Sequence, residues 1–239
     1  GDNFFSKKCE KFLKREYKFE NLFLTDSCSS AFEIIATCLR HLKKKEIIIP
    51  SYSYPTVASS FIKNGFKVIF VDNLKDDPFI NKIDLEKKIT KKTSCLVMVH
   101  HYGNSEDIDY FLKLKKKYNL ILIEDAAQSI NLKYRSKYVG SYGDFGAISF
   151  HETKNIHCGL GGCLIINNKK FLKRSNYIWN RGTNRSEYDV NKIKKKPKSS
   201  SPLQNVEDEM EGVMDQMRKG TRKRICGVNA RAQGIAADF

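Results

Sequence analysis

Lys154 stands in the stretch ISFHETKNIHCGLGG, residues 148–162, just past a short apolar run that reads as a strand and just before a glycine cluster. A lysine amine beside an electrophilic carbonyl can form an imine. In a chain with 43 lysines and arginines, a solvated loop lysine fits that position too. Asp125, in IEDAAQS, comes at the end of the leucine- and isoleucine-rich run LILIED. A carboxylate so near low-dielectric surroundings needs a cation or hydrogen-bond donors. Either it caps a helix that begins at AAQS, or it meets something positive in a site.

Further segments bear on the choice. TDSCSSAFE, residues 25–33, follows the apolar LFL and opens a helix, so its small residues expose backbone N–H groups at the positive end of a helix dipole. That suits a phosphate, and it suits an ordinary serine cap. PSYSYP, residues 50–55, places tyrosines at a strand end, where a ring could stack on a flat heterocycle or pack into a core. Ser149 is a further hydroxyl donor beside Lys154. An imine-forming lysine, an aspartate for a protonated pyridine nitrogen, a phosphate cradle and a stacking ring are the parts that pyridoxal 5'-phosphate (PLP) requires.

The elements that must position these residues alternate. Residues 8–19 and 30–44 carry apolar side chains at three and four spacing and predict helices, as does the stretch between Asp107 and Tyr118. LFL, EIIIP, KVIFVD, SCLVMVH and LILIED predict short, fully buried strands. Alternating strand and helix predicts an α/β fold with a mostly parallel central sheet covered on both faces. Sites in such sheets lie at the carboxyl ends of strands, where Pro50, His100 and Asp125 fall. From about residue 190 the basic, Pro/Ser-rich KIKKKPKSSSP reads as a linker, and a tail of mixed charge follows without strand signal. Residues 1–189 are expected as the folded unit and 190–239 as a poorly specified tail.

Composition narrows the function. With 239 residues, 41% of them hydrophobic, the chain can bury a sizeable core. No apolar run reaches the ~18 residues of a membrane helix, and the opening GDNFFSKKCEKFLK lacks the apolar stretch of a secretory signal, so a cytoplasmic location without a membrane partner is expected. The first residue is Gly1, which favours a piece of a longer reading frame. Seven cysteines with no C-x-x-C pair suggest neither a disulfide framework nor a thiolate metal site. The charge of +16 would attract nucleic acid, but its lysines are spread over helical patterns such as YFLKLKKKYN, as on solvated helix faces, so no specific nucleic-acid partner is expected.

In order and spacing, LTDSCSSAFE, IIIPSYSYPTVASSF, FVDN, VHHYGN, LIEDAAQS, GDFGAISFHETKN and RGTNRSEY resemble the DegT/DnrJ/StrS family of PLP-dependent sugar aminotransferases. The resemblance covers about residues 1–188 and implies an aspartate aminotransferase-like (type I) large domain. It implies that Lys154 carries the cofactor as an imine, that Asp125 pairs with the pyridine nitrogen and that Gln128 bonds the phenolic oxygen. Tyr54 then takes the place of the stacking aromatic, and Ser29, Ser30 and Ser149 match phosphate-binding positions. It further implies amino transfer from an amino acid, glutamate by resemblance, to C4 of a dTDP-4-keto-6-deoxyhexose in surface-polysaccharide sugar synthesis, by a homodimer. A relative that removes a hydroxyl has histidine at the lysine position, so Lys154 points away from that reaction.

The chain departs from the family in two places. The family's usual glutamate before the paired glycines is replaced within Gly159-Leu160-Gly161-Gly162. Beyond Tyr188, where the family continues into a small C-terminal domain, residues 190–239 read as missing or replacing it. A truncated, inactive domain with only cofactor or nonspecific anion binding is the rival expectation.

Overall fold

The computed structural model describes residues 4–182, so the linker and tail expected over 190–239 lie outside the described residues. In chain order the elements are α1 (Phe4–Tyr17), β1 (Leu22–Thr25), α2 (Cys28–Leu39), β2 (Glu46–Pro50), α3 (Pro55–Lys63), β3 (Lys67–Val71), α4 (Lys82–Lys88) and β4 (Thr93–Val99). There follow α5 (Ile108–Tyr118), β5 (Ile121–Asp125), a two-stranded hairpin of β6 (Lys133–Tyr134) and β7 (Lys137–Tyr138), then β8 (Phe145–Ser149), β9 (Gly162–Ile166) and α6 (Leu172–Trp179). α1 starts earlier than its periodicity predicts and stops at Tyr17, because Lys18 turns to φ 60°. α3 begins with Pro55, whose missing N–H has no partner to lose at a helix start.

The seven main strands form one sheet in the order β1-β9-β8-β5-β4-β2-β3. Neighbours from β3 through β2, β4 and β5 to β8 run parallel, while β9 runs antiparallel to both β8 and β1, so that β1 shares the direction of the parallel strands. The mostly parallel sheet is therefore present, with one reversed strand, β9, that the alternation did not foretell. Alternate side chains feed two cores. Ile48, Leu96 and Met98 point to one, with Leu85 of α4 and Phe111 of α5. Ile47, Ile49, Cys95 and Val97 point to the other, with Phe32 and Ile35 of α2 and Phe61 of α3. This two-sided burial is why the central strands read as continuous apolar runs.

Two strands expected to be fully buried are not. β1 and β3 are the sheet edges, and Phe70 of β3 is half exposed. An edge strand has one neighbour fewer to cover it, which a four- or five-residue apolar run does not announce. The parallel geometry brings the carboxyl ends of β2, β4, β5 and β8 to one side of the sheet, and the site lies there.

Candidate active site

Asp125 ends β5, opposite Val99 of β4 and Ala147 of β8. It is 5% exposed. The chain does not turn helical after it, so the helix-cap use falls away. Instead Oδ1 accepts the Ala127 N–H at 3.0 Å, a local turn that aims the carboxylate at the strand end. Burial raises the carboxyl pKa, against the lowering effects of the Ala127 N–H and the charges of His100 and Lys154. A buried acid in that state gains from a cationic partner, as a protonated ring nitrogen would provide.

Glu124, the preceding residue, alternates to the other side and is fully buried. It accepts the backbone N–H groups of Gly140 (2.7 Å), Tyr142 (2.5 Å) and Gly143 (2.6 Å), and it pairs with His100 Nε2 at 3.2 Å. His100 Nδ1 takes the Glu106 N–H (3.3 Å), so both ring nitrogens of His100 are engaged. These contacts brace the β4 and β5 ends behind Asp125. Gln128 is held as well: its Oε1 accepts the Tyr102 N–H at 3.0 Å, and its amide N–H₂ has no partner among the described residues.

Opposite lies the start of α2. Ser27 is the N-cap, and its Oγ accepts the Ser30 N–H (3.1 Å), leaving the amides of Cys28 and Ser29 without intrahelical partners. Gly162 faces both Thr25 of β1 and Ser149 of β8. A Cβ there would come within 2.5 Å of Cys28 N, so glycine at this position is what lets the helix start close on the sheet. Ser149 and the first residues of α2 line one cavity, which suits an anion. The Ser29 hydroxyl is shared with Thr56 Oγ1 at 2.7 Å.

Lys154 lies in the turn after β8. Its N–H bonds the His151 carbonyl (2.9 Å), and His151 N–H reaches Ser149 Oγ (3.3 Å). Its charge acts on both Asp125 and Cys28. A cavity of about 380 Å³ is lined by Ser29, Tyr54, Asp125, Gln128, Ser149 and Lys154. Tyr54, 68% exposed, forms part of its open wall. Of the residues picked from the sequence, only Ser30 stands off the lining, its hydroxyl paired with Ser27 Oγ at 3.0 Å. A second space of about 760 Å³ adjoins across Gln128, Ser149 and Lys154. Cys28, Tyr52, Thr56 and His101 also line the first cavity and were not singled out beforehand. Their nearest sequence signal was adjacency to the chosen residues.

The residues present fit PLP. The α2 amides and Ser149 offer donors of the kind a phosphate needs, Gln128 an amide N–H that a phenolic oxygen could accept, and Asp125 a buried carboxylate that a protonated ring nitrogen could pair with.

The model of the DegT/DnrJ/EryC1/StrS aminotransferase family matches residues 5–232. The matched span takes in the segments from LTDSCSSAFE to RGTNRSEY. The GDP-perosamine synthase of Escherichia coli O157:H7 is 36% identical over 129 residues, 54% of this chain and 35% of that protein. The dTDP-3-amino-3,4,6-trideoxy-alpha-D-glucose transaminase of Streptomyces venezuelae is 31% identical over 139 residues, 58% of this chain and 37% of that protein. Among solved structures, Helicobacter pylori PseC, an aminotransferase involved in the biosynthesis of pseudoaminic acid, has a TM-score of 0.68 at 25% identity, covering 72% of this chain and 47% of that one. The chain thus spans less than half the length of these relatives, and its α/β fold is theirs.

Proposed function

Because the chain belongs to the DegT/DnrJ/EryC1/StrS aminotransferase family, whose aminotransferases are PLP-dependent, we propose that it carries the cofactor-binding half of a transaminase for nucleotide-linked keto sugars. The observation that carries this is that Asp125 and Gln128 at the end of β5, and Ser149 and Lys154 at the end of β8, line one cavity beside the α2 N-terminus. The finer reading is amino transfer from glutamate to C4 of a dTDP-4-keto-6-deoxyhexose, in surface-polysaccharide sugar synthesis, by a homodimer in the cytoplasm. Relatives named for GDP- and dTDP-sugars both match, so the test below offers both nucleotides.

PLP, when bound, supplies an electron sink that lets the bond to hydrogen at an amine-bearing carbon ionise. The chain's own residues do the rest. Asp125 holds the proton at the pyridine nitrogen, its burial making the pairing strong. Gln128 donates to the phenolic oxygen with an orientation fixed by the Tyr102 N–H. Ser149 and the amides of Cys28 and Ser29 bind the phosphate. Lys154 moves the proton at the substrate carbon. Tyr54 covers the open face of the ring and excludes water there.

The test is to load the purified chain with PLP, add glutamate, then add dTDP- and GDP-4-keto-6-deoxyhexoses and look for the amino sugar by mass spectrometry. Formation of 2-oxoglutarate and of a 4-amino sugar is expected. Cofactor binding with neither product would favour the rival reading, a domain that binds cofactor without turnover.

A further inference from the structure

His101 follows β4 directly and lines the same cavity as Lys154 and Asp125. It is 3% exposed, yet among the described residues neither Nδ1 nor Nε2 has a hydrogen-bond partner. The contrast with its neighbour is sharp, for both ring nitrogens of His100 are engaged, by Glu124 and by the Glu106 N–H. A buried polar side chain left unpaired lowers stability and therefore asks for a partner that the fold itself does not provide. We propose that His101 recognises the sugar, its imidazole hydrogen-bonding a hydroxyl group of the pyranose that enters the cavity.

The surroundings favour a hydroxyl over an anion. Burial and the neighbouring His100 hold the imidazole below its ordinary pKa, against an opposite pull from Asp77, so the ring is neutral and offers one N–H and one bare nitrogen. A hydroxyl both donates and accepts, whereas a carboxylate or phosphate only accepts and prefers a cation. The flanking rings are aromatic: Tyr52 at 5.2 Å between centroids, Tyr102 at 6.0 Å and Phe79 at 6.3 Å. Tyr52 and Tyr102 are more than half exposed and joined hydroxyl to hydroxyl, making an apolar wall against which the C–H face of a sugar can lie.

This inference rests on the keto-sugar reading above, and the experiment separates the two. The purified 239-residue chain, loaded with PLP, is titrated calorimetrically with dTDP- and GDP-linked 4-amino-4,6-dideoxyhexoses, as wild type, His101→Phe and His101→Gln. His101→Phe should weaken sugar-nucleotide binding about ten-fold or more, with PLP affinity unchanged. Its melting temperature without ligand should equal or exceed wild type, since an apolar ring replaces two unpartnered nitrogens. His101→Gln, with a donor and an acceptor of its own, should keep most of the affinity. Wild-type sugar-nucleotide affinity in His101→Phe overturns the proposal. So does a parallel loss of melting temperature and PLP affinity, which marks a structural role. A wild-type chain that takes PLP but no sugar nucleotide sinks the keto-sugar reading itself, and this proposal with it.

Discussion

His100 donates its backbone N–H to the carbonyl oxygen of Asp125 across the β4–β5 seam at 3.0 Å. The main chain of Asp125 is thereby pinned by the residue whose side chain is itself held by Glu124. The carboxylate has little freedom to move away from the cavity, which is what a group meant to hold one ring nitrogen needs.

Asp125→Asn should keep PLP binding and remove most of the half-reaction with glutamate, because a neutral amide cannot hold the ring nitrogen protonated. Absorbance changes on adding glutamate measure it, and wild-type rates in the variant would contradict the assignment. The same variant has a stability consequence. The folded carboxyl pKa is raised above its unfolded value, so the ligand-free fold loses stability as pH rises through the range between the two. Asp125→Asn removes that loss. Its melting temperature should exceed wild type at pH 7 and converge with it at acid pH.

Gly162→Ala tests the anion seat. Its Cβ would press on Cys28 N and on the Ser27 carbonyl carbon, both at 2.5 Å, and backbone on both sides has little room to shift. A cost of about 1–3 kcal/mol is expected, together with a PLP affinity reduced by more than that of a control such as Gly65→Ala, which has open space around it but a strained φ of 78°. Denaturant melts and a cofactor titration decide it.

Much of this arrangement was legible in the sequence, for identifiable reasons. β2, β4 and β5 are buried on both faces, so their apolar runs stood out, and the residues at their ends were found by position alone. β9 was missed because Gly162 and Cys163 dilute its short apolar run, though pairing on both sides makes it central. Ser30 enters only through the family resemblance, and spacing alone does not show that the first helical turn sets its hydroxyl against Ser27. His101 and the Tyr102 amide could not be read at all, since their roles depend on contacts from other loops.

Glu106 gives a second pH effect. It is 3% exposed, and burial pushes its carboxyl to about 7, although the Ile80 N–H donates to it at 2.8 Å. The raised folded value means stability falls as pH rises from the ordinary carboxylate range to about 7. Glu106→Gln keeps an acceptor for Ile80 and should flatten this slope, gaining on the order of 2–3 kcal/mol at pH 8. Unfolding curves at pH 5 and pH 8 would show the gain at the higher pH only. An equal effect at both would contradict the assignment.

The central claim is that Lys154 is the amine at which this cavity captures its cofactor, and peptide mass spectrometry after borohydride reduction of the PLP-loaded chain tests it most directly. The reduced pyridoxyl adduct should map to Lys154 and vanish in Lys154→Ala, with the melting curve of that variant little changed. An adduct on another of the chain's lysines, or one that survives in Lys154→Ala at the wild-type level, would contradict the account.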